Sequence, residues 1–370
     1  MRPLEGLLVL DFSTLLPGPM ATLLLAEAGA EVVKIERPGT GDEMRGYAPG
    51  WGTDSANFAL LNRGKRSIVL DLKDPAGRAR LAPLLARADV LVEQFRPGVM
   101  DRRGLGYGAV SACNPRLIYC SITGYGQTGP KRDVAGHDLN YIGDTGLLAL
   151  SHGNAAHPVV PPALIADIAG GAYPAVMNIL LALMRRGATG QGCHLDISMT
   201  DNLFPFLYWA LGQGAATGVW PGNGTDLVTG GSPRYRLYPT ADGRIVAVAA
   251  IEDRFWATFC EAIGLEPALR DDAPATTRRI SEIIAAAPSA HWREVFARAD
   301  CCCSVVATLP EALADPQFAA RGLFGRQVAN AVGGMMPALP VPVDPAFRAS
   351  EDAAPPAAPG LGTDTGAYLS

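Results

Sequence analysis

The stretch GLLVLDFSTLLPGPMATLLLAEAGAEVVKIERP, residues 6–38, decides the fold. It opens with a compact apolar run ending in Asp11, the pattern of a buried strand. PGPM (17–20) then turns the chain, with Pro19 suited to a helix start, and ATLLLAEAGA reads as a helix closed by Gly29. EVVKIERP (31–38) is a second strand stopped by Pro38. Strand, helix and strand in so short a span form the repeating unit of a parallel sheet.

The pattern continues through the first half of the chain. RSIVLDL (66–72), DVLVEQF (89–95) and RLIYCSITGYG (116–126) read as further strands, with a helix over 75–88. CHLDISMTDNLFPFLYWAL (193–211) adds one more strand and a helix. These runs predict an α/β fold whose Rossmann-like, doubly wound parallel sheet occupies residues 1–211. A dinucleotide site would need G-x-G-x-x-G after the first strand, and the turn reads STLLPGPMA instead, so NAD binding is not supported. The Gly-rich segment 212–233 reads as a linker. Two strands around Asp242-Gly243 and several helices predict a smaller α+β domain over 234–325, and 326–370 reads as a return segment to the large domain.

Composition narrows the function classes. The 370 residues are 48% hydrophobic and 18% charged, with a formal net charge of −5, so neither nucleic acid nor an anionic membrane surface is an expected partner. The N-terminus lacks the pattern of a signal peptide. The longest apolar run, AYPAVMNILLALM (172–184), ends in Arg185-Arg186 and reads as a buried helix rather than a membrane span. Seven cysteines with no C-x-x-C spacing read as reduced thiols of a cytoplasmic protein, and the Cys301-Cys302-Cys303 run reads as small buried fillers. No metal site is expected.

Basic residues gather between positions 37 and 103: Arg37, Arg45, Arg63, Lys65, Arg66, Arg96, Arg102 and Arg103. Arg37 and Arg96 stand at strand ends, where open α/β sheets bind ligands. As a set these side chains suit phosphate groups, and a coenzyme held by side chains is the natural expectation.

Two stretches carry the chemistry: AGHDLNY (135–141), after the glycine-rich GYGQTGP, and ALIADIAGGAY (163–173). Asp167 stands at or next to the start of an apolar helix (168–186), where an N-cap and a chemical role are both open. His137 taken alone fits a hydrogen-bonded loop residue as readily as a base. Asp138 and Asn140 are expected to order the loop, and Tyr141 to pack.

These segments together resemble the family III CoA-transferases. The likeness is carried by LDFSTLLPGPMATLLLAEAGAEVVKIERPGTGD (10–42), NRGKRSIVLDLKDPAGRARL (62–81), EQFRPGVMDRRGLGYG (93–108), ITGYGQTGPKRDVAGHDLNY (122–141), ADIAGG (166–171), GGSPRYRLYPTADGRIVAVAAIEDRFW (230–256) and PPAAPGLGTDT (355–365). It covers essentially the whole chain. It implies a homodimer of two interlocked chains, an acyl-CoA substrate, and coenzyme contacts from Arg37, Arg96 and Lys65.

Within that family, transferases use the aspartate matching Asp167 as nucleophile. Members resembling alpha-methylacyl-CoA racemase use a His–Asp pair as bases. AGHD-NY resembles the racemase branch, as does AIEDRF, where Glu252 matches a glutamate that partners the histidine. One departure is Ala163, where similar racemases carry Asn. The resemblance therefore implies inversion of the α-carbon of a 2-methylacyl-CoA through an enolate. His137 and Asp167 transfer the proton, Glu252 orients His137, and no metal or redox cofactor takes part. The alternative is a CoA-transferase acting through Asp167. Two further expectations concern the helix at Asp167: its dipole holds that carboxylate ionised, and the Asp167 N–H receives the thioester oxygen.

Overall fold

The computed structural model describes residues 2–269, 273–350 and 353–369. Six parallel strands form the main sheet: β1 Leu8–Asp11, β2 Glu31–Glu36, β3 Arg66–Val69, β4 Val90–Glu93, β5 Ile118–Thr123 and β6 Cys193–Ser198. Their order is β3-β2-β1-β4-β5-β6, the doubly wound arrangement that residues 6–38 predict. Val9 pairs with Val32 on one side and Val90 on the other. The apolar runs become central strands because both faces are covered; β1, β4 and β5 are buried along their full length. Leu10, Val33, Ile68, Leu91 and Tyr119 form the core of one sheet face. Helix α1, Pro17–Glu27, connects β1 to β2.

The chain divides into two compact units. The first comprises Met1–Thr145, Ala163–Pro205 and Pro316–Ser370; the second comprises Gly146–Pro162 and Phe206–Asp315. This differs from the boundaries read from sequence. Segment 212–233 is no free linker: Gln213 donates to Asp226 (2.9 Å), Trp220 lies against Gly214, and Asn223 bonds the carbonyl of Gly153. Those contacts place it, with residues 146–162, inside the second unit. The C-terminal residues do return to the first unit, where Asp364 accepts from the Ser67 amide and Thr365 from the Val69 amide.

In the second unit β7 Tyr235–Pro239, β8 Ile245–Ala249 and β9 Cys303–Val305 form an antiparallel sheet. Tyr238, Trp256, Phe259, Ile284 and Trp292 fill its core. The cysteine run is not uniformly buried: Cys301 is, Cys302 is exposed with a positive φ of 52°, and Cys303 lies between.

Two further helices matter for the site: α2, Asp138–Asp144, and α3, Tyr173–Thr189, which continues from a π-helical segment Ala166–Ala172. Helix α3 corrects the expectation of a buried helix. Tyr173, Met177, Leu181 and Met184 are 40–76% exposed along one stripe, while Ala175, Ile179 and Ala182 face the sheet unit. By length and composition alone Ala166–Thr189 would suffice to cross a membrane, but its inner face packs on β5, β6 and α1.

Candidate active site

Strands β1 and β4 are neighbours in the sheet and their connections leave in opposite directions, which opens a crevice beyond their carboxyl ends. A cavity of about 440 Å³ lies there. Leu15 and Pro17 line it from the turn after β1, Arg96 from the end of β4, Thr123 from β5, and His137 and Asp167 complete it. The two residues that the sequence marks for chemistry, separated by thirty positions, thus share one wall system.

The local sequence explains the placement. Leu15 adopts a left-handed backbone (φ 62°), held by its N–H donating to Asp42 Oδ1 at 3.0 Å, and so forms the cavity edge. Gly124 lets the end of β5 pass the Tyr141 ring; a Cβ there would lie 2.4 Å from it. Gly170 lets the π-helical turn touch the chain after β6, since a Cβ would meet the Met199 carbonyl at 2.4 Å. The widened turn leaves the Gly170 carbonyl to accept from Asn202 Nδ2 (2.9 Å).

His137 is the exposed N-cap of α2, and its N–H donates to Asn140 Oδ1 at 3.0 Å. Asp138, the next residue, is only 4% exposed. Its carboxylate accepts from the Asp167 amide at 2.9 Å and also from the amides of Ala166 and Ile165. Burial pushes the Asp138 carboxyl up against these three bonds. The loop-ordering role expected of Asp138 is therefore replaced by a long-range cap on the helix that carries Asp167. No local motif signals this contact, which spans 29 residues.

Two expectations about Asp167 are corrected. Its N–H is not free for a thioester oxygen, because Asp138 already occupies it. Nor does the helix end hold its carboxyl low: burial first, then the nearby Asp138 charge, push it up to about 7. The positive end of the helix is spent on Asp138, and Asp167 is left half-buried beside a like charge. Since the folded pKa is raised, this carboxyl opposes folding as pH climbs from the ordinary aspartate range through 7. Asp167→Asn should therefore match the parent in stability near pH 4 and exceed it by about 1–3 kcal/mol at pH 8. Urea titrations at the two pH values measure this, and equal midpoints at pH 8 would contradict it.

The three coenzyme candidates separate. Arg96 is exposed and lines the cavity. Arg37 lies at the end of β2, lining a neighbouring depression, with Nη1 2.8 Å from Glu43 and Nε donating to Thr40. Lys65 is a correction. Its side chain is fully buried, and Nζ donates to Asp11, Pro19, Thr22 and Asn62 at 2.7–3.1 Å. No donor is left for a phosphate, and burial pulls its pKa down to about 8. Thr123 Oγ1, buried and without a hydrogen-bond partner among the described residues, is a polar group at the cavity that sequence reading missed. Glu252 is the exposed N-cap of α4, Asp253–Ala262, in the second unit. Among the described residues no three His, Cys, Asp or Glu side chains gather as a metal site.

Comparison with known proteins gives the family and its fold. A family profile described as CoA-transferase family III matches residues 4–365. Alpha-methylacyl-CoA racemase of Homo sapiens is 35% identical over 328 residues, covering 87% of this chain and 82% of its own. Acetyl-CoA:oxalate CoA-transferase of Acetobacter aceti is also 35% identical, over 358 residues, covering 92% and 89%. The crystal structure of a CAIB/BAIF family protein from Brucella suis superposes with a TM-score of 0.82 at 29% identity, covering 100% of both chains.

Proposed function

The chain belongs to CoA-transferase family III, and from that premise we propose that it is an acyl-CoA racemase or epimerase acting on 2-methylacyl-CoA thioesters. The observation that carries this reading is a histidine and a near-neutral aspartic acid on one cavity. Inversion needs one base to take the α-proton and a conjugate acid to return a proton to the other face. The C–H electrons move into the thioester as an enolate and come back when the new C–H bond forms. Because each group must serve as base in one direction and acid in the other, the two should hold protons with similar strength. Histidine is the side chain most used for proton exchange near neutral pH, and burial lifts the Asp167 carboxyl to about 7, where it too can hold or release a proton. A dedicated nucleophile would gain from a lower value, since only the ionised carboxylate attacks.

In this reading the substrate is the only coenzyme species required. Arg96 binds its phosphates or pantetheine amides at the cavity mouth, and the Thr123 hydroxyl meets a polar group of the thioester arm. Glu252 enters this reading on the strength of the racemase likeness alone.

The competing reading is a CoA-transferase, favoured by the equal identity to the Acetobacter enzyme. There the Asp167 carboxylate attacks the thioester carbonyl, expels CoA as thiolate and passes through a mixed anhydride. One experiment separates them. In D₂O with a 2-methylacyl-CoA and no acceptor acid, a racemase incorporates one deuterium at the α-carbon and equalises the two configurations. A transferase leaves the α-carbon untouched and yields an aspartyl adduct trapped by hydroxylamine, and it exchanges CoA between acids once an acceptor acid is added.

The interlocked homodimer belongs to the same proposal. The exposed stripe of Tyr173, Met177, Leu181 and Met184 is an apolar surface of the kind a second copy covers. Met177→Glu combined with Met184→Glu should halve the mass seen in sedimentation equilibrium. An unchanged mass would remove this stripe from the interface.

A further inference from the structure

We propose that Asp138 is a positioning residue that couples the two proton-transfer groups, its backbone fixing His137 and its carboxylate fixing Asp167. The inference rests on the racemase reading for its catalytic consequence, but its structural content stands apart from that reading.

Three observations carry it. Asp138 is covalently next to His137 and opens α2, whose N-cap is His137 and whose Asn140 side chain accepts the His137 N–H. Its carboxylate is buried to all but 4% and grips the amides of Ile165, Ala166 and Asp167. Both neighbours line the same cavity. A buried carboxylate is costly unless its oxygens are matched by donors, and here the donors are the first amides of the helix that carries the second base. Movement of the His137 loop therefore moves Asp167, and the spacing between the two bases is set by one side chain.

The choice of aspartate over asparagine has a second consequence. An asparagine amide would turn two N–H groups toward a site already full of backbone donors. It would also remove the charge that faces Asp167. The other ionisable groups at the cavity are His137, Arg96, Arg132 and Tyr141; Tyr141, on α2, feels both carboxylates, and Arg96 acts on it with opposite sign. None of these supplies a negative charge to Asp167 at neutral pH, so among the described residues Asp138 is the charge that adds to burial, the larger cause, in raising the Asp167 carboxyl.

The test uses the full-length chain with Asp138→Asn and Asp138→Ala. Amide hydrogen exchange reads the clamp: Ile165, Ala166 and Asp167 should exchange at least about tenfold faster in Asp138→Ala, with the sheet amides unchanged. A ¹³C-carboxyl titration reads the charge: the Asp167 midpoint should fall by about one pH unit in Asp138→Asn. If the chain inverts 2-methylacyl-CoA, the acid limb of that rate should move down with the midpoint, and Asp138→Ala should slow inversion about 10–100-fold. The proposal is overturned if amides 165–167 keep their protection in Asp138→Ala, or if the Asp167 midpoint does not fall in Asp138→Asn. A parent chain that fails to exchange the α-hydrogen while both spectroscopic shifts occur removes the racemase reading and leaves the coupling intact.

Discussion

Replacing His137 with alanine is expected to slow inversion of a 2-methylacyl-CoA about 10²–10⁴-fold, the usual contribution of one acid–base group. The loss should be unequal between the two half-reactions. Asp167 still faces the cavity, so the enantiomer whose α-hydrogen points at the carboxyl should keep exchanging it for deuterium with retention. Its mirror image should not exchange. Exchange without inversion in one enantiomer is the signature of a two-base site reduced to one. A transferase predicts something different: His137→Ala leaves the anhydride route open, and CoA exchange between acids continues within a few-fold of the parent. The decisive measurement is the deuterium content and configuration of each recovered enantiomer. Parent-like inversion by the variant would end the assignment of His137.

His137 is exposed, so this change should disturb folding little. The readout is then chemical rather than structural. Asp167→Asn is its complement: it should also lose inversion, yet gain stability above pH 7 because a raised carboxyl is removed. Opposite effects on activity and stability at one residue are expected where a buried acid is retained for function.

What was legible in the sequence follows from how local each signal is. The strands of the main sheet could be read because a strand covered on both faces needs an unbroken apolar run, and GLLVLDF and EVVKIE are such runs. The strand-end position of Arg96 was legible for the same reason. Lys65 misled because its partners come from three separate places: Asp11 at the end of β1, Thr22 within α1, and Asn62 just before it. Nothing at residue 65 distinguishes an ammonium waiting for phosphate from one already surrounded. Helix α3 misled in the other direction. Its apolar residues continue around both faces, which reads as burial, whereas the single chain covers only the Ala175–Ile179–Ala182 side. The role of Asp138 was hidden by distance along the chain, and the π-helical turn has no sequence period of its own. The pair His137 and Asp167 was found through motif likeness; composition and spacing had left each with a structural alternative.

The second large effect concerns stability and lies behind the cavity wall. Lys34 is fully buried, with Nζ 2.9 Å from Asp42 and donating to the Ser13 carbonyl at 2.7 Å. Asp11, also fully buried, accepts from Ser13, Thr22 and Lys65. Burial pushes the Asp11 carboxyl up, but the Lys34 and Lys65 ammonium groups and the two hydroxyls outweigh it and hold it far below the usual range. A depressed carboxyl stabilises the fold above its unfolded pKa, and that contribution is lost only as pH falls through the folded value. Lys34→Met keeps most of the side-chain volume but leaves Asp11 and Asp42 with one cation fewer, so it should cost about 3–5 kcal/mol. Adding Asp42→Asn should restore part of the loss, because the amide oxygen can still accept from Leu15 and Met44. Neutralising both members of a buried pair is milder than stranding one. The site should respond in step: Leu15 keeps its left-handed backbone through Asp42, so the single variant should also raise KM for the acyl-CoA. Urea unfolding of the parent, single and double variants decides the matter; a single variant as stable as the parent, or a double variant weaker than the single, would show that these charges do not hold the turn.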